Sequence, residues 1–180
     1  MNRPTGMFAL PARILHGLMA AMIVTMLFVG VGMVASVSER HDWLVRLHKP
    51  LGIAILLLAV VRLAVRLRHP PPPLPADLPA VQKLAAHASH WLLYVLMFAL
   101  PLVGWAMLSA GGYPVMLSHS LRLPSILPAN AVAFAVLRHL HAWLAGVLLV
   151  VFVGHLGAAL YHGLVRRDGV FGSMWGWRRR

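Results

Sequence analysis

Four long apolar stretches alternate along the chain with shorter polar or proline-rich segments. They run from about Arg13 to Val37, from Leu44 to Leu67, from Leu84 to Ala110 and from Ala131 to Val165. A helix needs roughly 20 apolar residues to cross a bilayer, and each stretch is at least that long. The pattern therefore predicts an all-α fold, a bundle of four transmembrane helices, with residues 1–180 as a single domain. Pro101 lies inside the third stretch and is expected to bend that helix.

The connections between the stretches differ in composition. The first, SERHDWLVR, is short and polar. The second, RLRHPPPPLPADLPAVQK, is proline-rich and is expected to be extended and stiff. The third, GGYPVMLSHSLRLPSILPAN, is apolar enough to lie in the membrane interface as a short amphipathic cap. The first apolar stretch is too long for the core of a signal peptide and has no convincing cleavage site, so it is predicted to be a true span.

The composition agrees with a membrane protein. The chain is 60% hydrophobic and only 11% charged, with a mean hydropathy of +0.78, whereas soluble domains carry about a quarter charged residues. It has no cysteine. Disulfides, iron–sulfur clusters, thiolate nucleophiles and cysteine-based zinc sites are therefore excluded.

The charge is strongly basic, +12 with four acidic residues. Such a balance occurs in nucleic-acid-binding proteins, but here the basic residues lie mostly at the ends of apolar stretches, which favours membrane topology and no nucleic-acid partner. The N-terminus, the proline-rich connection and the C-terminus, with their flanks, carry eleven of the sixteen Lys and Arg residues. The positive-inside rule then predicts that both termini are cytoplasmic in a bacterial inner (plasma) membrane. The terminal WGWRRR suits anionic lipid headgroups.

Histidines interrupt the apolar stretches, where ionisable groups are costly and usually functional. Of the eleven, three fall in predicted loops and are expected to be solvated: His41, His69 and His119. In the fourth stretch, His141 and His155 are 14 residues apart. This spacing puts them only about 40° out of register and about 21 Å apart along a helix.

The alternating direction of the spans pairs four histidines by depth. His48 and His141 fall near the outer ends of spans two and four, and His16 and His155 near the inner ends of spans one and four. Two facing imidazoles are the axial ligands of a six-coordinate haem iron, whereas zinc needs further ligands that the spans do not offer. We therefore predict two bis-histidine haem sites. For any one histidine alone, a helix–helix hydrogen bond remains an alternative.

Cationic residues flank both predicted sites. At the outer end these are Arg46, Lys49, Arg138 and His139, with His41 nearby. They would anchor haem propionates or steer a small anion inward, and the sequence does not separate these roles. At the inner end, Arg62 and Arg66 suit propionates or simple snorkelling.

Three further histidines lie near the inner level. His162 is seven residues beyond His155 and close to the same face, so it is a candidate for a quinone or proton-transfer role, or for a structural role at the interface. His87 and His90 share a face of the third span, and a structural role is expected for them.

These segments resemble the prokaryotic cytochrome b561 family, which includes the cytochrome b subunits of nickel–iron hydrogenases and formate dehydrogenases. The resemblance covers nearly the whole chain and rests on RILHGLMA, LHKPLGIAILLLAVVRLAVRLRHPPPP, AAHASHWLLYVLMFALPLVGW and RHLHAWLAGVLLVVFVGHLGAALYH. It implies a di-haem cytochrome b membrane domain with two haems b, ligated by the same four residues that the spacing predicts: His16, His48, His141 and His155. One departure is Pro50, two residues after His48, near which the helix is expected to start or kink.

The size and compact loops resemble the stand-alone form of the family. One such type is a superoxide oxidase, and the resemblance implies a superoxide:ubiquinone oxidoreductase with ubiquinone as substrate or bound quinone. An alternative is a cytochrome b subunit that carries electrons between the quinol pool and a dehydrogenase, hydrogenase or other periplasmic redox partner. A third is a structural or transport bundle without a cofactor.

Overall fold

Four long helices make up most of the molecule in the computed structural model, which describes residues 6–117 and 121–175. They are α1 (Leu10–Val34), α2 (Glu39–Arg68), α3 (Ala80–Ala110) and α4 (Ala131–Leu160). All four are long and apolar enough to cross a membrane. The predicted all-α, four-span architecture is therefore confirmed, and the chain is a multi-pass membrane protein. Arg3, His119 and the tail from residue 176 lie outside the described residues.

The first connection is shorter than its sequence indicates. Most of SERHDWLVR forms the first turns of α2, which begins at Glu39 rather than near Leu44. Glu39 and Asp42 lie in the first turn, where negative charge is favourable at a helix N-terminus. His41 Nδ1 lies 3.0 Å from the Met33 carbonyl oxygen and ties the turn back to α1.

Both intramembrane prolines lie inside continuous helices. Of the two alternatives for Pro50, a helix start is wrong, because α2 begins eleven residues earlier and runs through it; a kink there stays a prediction. α3 likewise continues through Pro101. Proline has no amide hydrogen, so each one leaves the carbonyl four residues before it without its helical hydrogen bond. At these points the helix depends on packing against neighbouring helices rather than on its own hydrogen bonds.

The long outer connection contains a hairpin rather than a helical cap. Strand β1 (Val115–Met116) pairs antiparallel with β2 (Arg122–Leu123). The Trp105 indole donates to the Pro124 carbonyl at 2.9 Å, and the Ile126 amide donates to Ser109 Oγ at 3.2 Å. These bonds fold the connection back onto the end of α3, and they place Val115 in the protein interior.

The inner end is closed by two segments of irregular or short structure. The proline-rich strap, residues 69–79, joins α2 to α3 without helix or strand. At the C-terminus, a π-helical segment (Tyr161–Arg166) continues α4, and a short α5 (Val170–Trp175) follows. The Phe8 amide donates to the Ser173 carbonyl at 3.2 Å, and Arg13 Nε donates to the Met174 carbonyl at 3.1 Å. These two bonds dock α5 against the start of α1.

The helices do not pack evenly. α1 packs on α2, α2 on α3 and α3 on α4, whereas within the described residues no comparable contact joins α4 to α1 or α2. The apolar core lies midway through the bundle between α1, α2 and α3, and is built from Met19, Ile23, Ile55, Ala59, Tyr94 and Met97. The bundle is therefore open along α4, above and below this core.

Candidate functional site

The inner site is a cavity of about 280 Å³ lined by five histidines: His16, His69, His87, His90 and His155. The ring centroids of His16 on α1 and His155 on α4 are 6.3 Å apart, with ring planes at 84°. His90 on α3 stands 5.3 Å from His155. These three residues belong to different helices, so the cavity lies where α4 separates from α1. The structure thus brings together His16 and His155, as the sequence predicts, and adds His90.

The outer site is smaller, about 70 Å³. His48 on α2 and His141 on α4 face each other across it, with ring centroids 6.1 Å apart and planes at 67°. Gly104 leaves room for the His141 ring, because a Cβ there would lie 3.2 Å from its Cε1 atom. Val115 of the outer hairpin lines the same cavity, so the hairpin covers this site.

Both pairs fit the axial ligation of a haem iron. Imidazole nitrogen binds transition metals at about 2 Å, so two imidazoles on opposite sides of one iron have centroids roughly 6 Å apart, as observed in both pairs. Buried ring nitrogens without a hydrogen-bond partner include Nδ1 of His16, His48 and His141. Such orphans are rare unless a ligand completes them. Across residues 6–117 and 121–175, no group of three or more His, Asp or Glu residues is arranged to hold a metal ion, which disfavours zinc.

The open space along α4 also suits a flat macrocycle. A Cβ added to Gly17, Gly146, Gly154 or Gly157 would meet no atom within 4 Å. Gly17 and Gly154 are the immediate neighbours of His16 and His155. The facing histidines therefore reach into unfilled space along α4.

Two arginines give the inner cavity a positive wall. Arg62 and Arg66 both line it, and their guanidinium carbons lie 5.7 and 5.6 Å from the centroid of the Tyr94 ring. Arg66 also lies 5.9 Å from Trp91. Neither arginine has a carboxylate partner among the described residues. A partly buried cation without a counter-ion is costly, so the cavity is suited to an anionic group such as a haem propionate.

The predicted outer cluster is only partly assembled. Lys49 lines the outer cavity beside His48. Arg46 and Arg138 are exposed and do not line it, and His139 is also exposed. Lys49 is thus the one cation at this cavity wall among the described residues, and the two arginines act on it only at a distance.

His162 lies in a different environment from the one that its spacing indicates. It does not line the inner cavity with His155. Its Nδ1 lies 2.7 Å from Oδ2 of Asp168. The π-helical turn, the left-handed Arg167 (φ 55°) and Gly169 (φ 84°) bring the chain back so that Asp168 reaches it. No periodic pattern in the sequence signals such a turn.

The cavity wall also contains three aromatic residues that no motif in the sequence marks, and the predicted His87 lies at its rim. Tyr94, Phe171 and Trp175 line the inner cavity, and Trp175 stands 6.4 Å from His16. His87 is exposed at the cavity rim, with Nδ1 2.7 Å from the Lys83 carbonyl oxygen. Their contribution depends on the strap and α5 folding over the inner end, which helical periodicity does not reveal.

Comparison with known proteins is consistent with this geometry. The family model described as "Prokaryotic cytochrome b561" matches residues 7–177. A protein of Yersinia pestis named "Probable superoxide oxidase CybB" is 36% identical over 129 residues, 71% of this chain and 72% of that protein. "Cytochrome b561 homolog 2" of Escherichia coli (strain K12) is 33% identical over 165 residues, 89% of this chain and 87% of that one. "Cytochrome b561 homolog 1" of the same organism is 30% identical over 121 residues, 67% of this chain and 68% of that one.

Proposed function

Because the chain belongs to the prokaryotic cytochrome b561 family, a family of membrane electron-transfer proteins that bind haem b, we propose that it is a superoxide:ubiquinone oxidoreductase. Two superoxide anions at the periplasmic face are oxidised to two molecules of oxygen. The two electrons cross the membrane and, with two protons, reduce ubiquinone to ubiquinol. The similarity to a probable superoxide oxidase over most of both chains supports this assignment.

The observation that carries the proposal is that two pairs of imidazoles face each other, one pair toward each end of the bundle. His48 and His141 would hold one haem b near the outer surface, and His16 and His155 a second near the inner surface, at centroid separations of 6.1 and 6.3 Å. When bound, the haems supply one-electron redox chemistry at both ends of the bundle. With two histidines as the ligands of each haem, substrates would exchange electrons with the haems without binding iron.

The side chains at each end would bind and steer the reactants. Lys49 at the outer cavity attracts superoxide. None of the described residues that line this cavity is acidic, so no negative side chain there repels the anion. Arg46 and Arg138 raise the local potential from the surface. At the inner end, Arg62 and Arg66 pair with propionates, and His162 supplies protons to the quinone. Eleven of the sixteen basic residues flank the inner end, which supports a cytoplasmic location of both termini in the inner membrane.

The test is a superoxide flux applied to the purified protein, followed by the haem absorbance. We expect rapid haem reduction, and reoxidation when a short-chain ubiquinone is added. Haems that stay oxidised under superoxide but are reduced by ubiquinol would contradict the proposal and favour the cytochrome b subunit of a larger complex. A colourless folded protein would favour a bundle without cofactor.

The outer cations offer an internal control within the same assay. Lys49→Gln should slow haem reduction by superoxide at all salt concentrations, because the ammonium lies at the cavity itself. Arg46→Gln and Arg138→Gln should have smaller effects that vanish above about 0.1 M salt, where the Debye length falls to about 10 Å. Equal effects of all three substitutions at high salt would contradict the special position of Lys49.

A further inference from the structure

Two arginines face two aromatic rings across the contact between α2 and α3, at the wall of the inner cavity. Arg62 and Arg66 are four residues apart on α2, and Trp91 and Tyr94 are three residues apart on α3, so each pair shares a face of its helix. The ring centroids of Trp91 and Tyr94 are 6.1 Å apart. Both arginines and Tyr94 line the cavity that contains the inner histidine pair.

The position of the two arginines is unfavourable on its own. Like charges four residues apart destabilise a helix, and both side chains are partly withdrawn from solvent within an apolar span. The four acidic residues of the chain do not offset this. Glu39 and Asp42 lie in the first turn of α2, at the other end of that helix. Asp77 and Asp168 both pair with Arg166. Another group must therefore stabilise the two guanidinium ions.

The aromatic faces provide that stabilisation. The guanidinium carbons of Arg62 and Arg66 lie 5.7 and 5.6 Å from the centroid of the Tyr94 ring, so one ring receives both cations. Trp91 also receives Arg66, at 5.9 Å. A cation within about 6 Å of a ring centroid is attracted to its π-electrons, most strongly where the pair is removed from water, and Tyr94 is only 5% exposed. The Tyr94 ring therefore holds the two like charges together.

This kind of contact leaves the arginines able to bind an anion. A carboxylate partner would neutralise a guanidinium ion and engage its N–H donors in a bidentate pair, whereas an aromatic face leaves the positive charge in place. Two positive charges, one helical turn apart, therefore remain available at the cavity wall. They suit a group with one or two carboxylates, such as the propionates of a haem.

We propose that Tyr94, together with Trp91, is a positioning residue that holds Arg62 and Arg66 as a paired cationic clamp for the carboxylates of the inner haem. This inference rests on the proposed function, since it needs a haem in the inner cavity. The clamp would also raise the midpoint potential of that haem, because nearby positive charge disfavours the oxidised form, which is the more positive one. Without the aromatic faces, the long arginine side chains would extend toward water at the membrane surface.

The experiment is a redox titration of the haem-loaded protein with both haems resolved. Tyr94→Leu should lower the midpoint potential of the inner haem and leave that of the outer haem unchanged, because the guanidinium groups lose the ring face and move away. Tyr94→Phe keeps the face and should keep a potential close to that of the wild type. An unchanged inner potential in Tyr94→Leu, or the same fall in Tyr94→Phe, would contradict the proposal.

Met97→Ala is the matched control for lost core volume. Met97 is 4% exposed and belongs to the same apolar core as Tyr94, but it has no ring that could receive a cation. This substitution should lower the temperature of thermal unfolding without shifting either midpoint potential. A fall in the inner potential as large as that in Tyr94→Leu would overturn the proposal, because loosening the core would then be sufficient to cause it.

A double-mutant cycle tests whether Tyr94 acts through the arginines. The variant with both Arg62→Gln and Arg66→Gln should already have a low inner potential. Adding Tyr94→Leu to it should shift the potential little further, since residues that act through one another give non-additive effects. If the two shifts simply add, the ring acts on the haem independently of the arginines and the proposal is wrong.

Trp91→Leu covers the case in which Tyr94→Leu fails to assemble, because Trp91 is 52% exposed. It should lower the inner potential by less than Tyr94→Leu, and this fall should vanish in an Arg66→Gln background. An inner potential that Trp91→Leu leaves unchanged would then overturn the proposal. Failure of the proposed function gives a different result: superoxide would not reduce the wild-type haems, whereas the shifts in potential would remain.

Discussion

His48 and His141 approach to 6.1 Å because Gly104 gives the second ring its space. At the scale of single residues, the site depends on small residues that leave space for a side chain as much as on the candidate ligands. The buried Nδ1 atoms of His16 and His48 have no hydrogen-bond partner among the described residues, as expected of imidazoles that face a site for a further group. Arg62 and Arg66 have no carboxylate partner among the described residues, which suits a negatively charged group beside them.

The ligand assignment predicts the effect of each histidine. His16→Ala and His155→Ala should each lose the inner haem and keep the outer one, and His48→Ala and His141→Ala the reverse, because each iron loses one of two protein ligands. His139→Ala, an exposed neighbour, serves as the control. Haem-to-protein ratios from extracted haem check this. Retention of both haems in any of the four ligand variants would refute its assignment.

Gly104 offers a test that leaves all ligands in place. In Gly104→Ala the new Cβ lies 3.2 Å from His141 Cε1, so the ring must shift by a few tenths of an ångström. We expect a changed midpoint potential of the outer haem, and loss of that haem in Gly104→Val. Ala88→Val, at an exposed position of the same helix, should change neither. A redox titration that finds both haems unaffected in Gly104→Val would contradict the outer site.

At the scale of elements, the inner cavity depends on parts of the chain that are not spans. The strap and α5 supply much of its wall, and α5 is held by hydrogen bonds to the start of α1 and by its cap on Asp168. The outer hairpin has the equivalent position over the smaller cavity. These short elements decide how much water reaches each site.

Trp175 provides the corresponding prediction. Its ring closes the inner cavity 6.4 Å from His16, so Trp175→Ala should admit water there. A wetter site favours the more highly charged oxidised haem, and the midpoint potential of the inner haem should fall while that of the outer haem stays the same. A redox titration with both haems resolved measures this. An equal shift of both potentials would mean that the substitution disturbs the bundle as a whole.

The same elements show which features can be predicted from the sequence and which cannot. Length and apolarity predict the four spans, and helical periodicity predicts which histidines share a depth, because both properties are local. The place of His162 is not local: it depends on a π-helical turn and on Asp168 six residues later. The hairpin and α5 likewise form because they pack against an end of the bundle. The early start of α2 could not be predicted because its first turns have the composition of a polar loop.

At the scale of the whole molecule, the uneven packing is the central feature. α1, α2 and α3 share a compact core, and among the described residues α4 packs mainly on α3, with Phe152 and its histidines reaching toward the other helices. Two cavities lie along α4 at opposite ends of the bundle, with the core between them. Such an arrangement is the one that the proposed function requires, with one redox site near each membrane surface.

The orientation of the molecule can be checked with single cysteines, because the chain has none of its own. Ala76→Cys in the strap should be protected from a membrane-impermeant maleimide in intact spheroplasts. Ser125→Cys in the outer connection should react with it. Both positions are exposed. In inverted vesicles the pattern should reverse, and in detergent both should react. The opposite pattern would invert the topology and with it the face at which superoxide is oxidised.

The most direct test of the account is the number of haems that the protein holds. We expect a reduced-minus-oxidised visible spectrum of the b type, and two haems per chain, since each of the two imidazole pairs has the separation that one iron requires. A ratio of one, or a folded preparation without colour, would contradict the two-site arrangement on which the electron path, the outer anion site and the inner proton donor all depend.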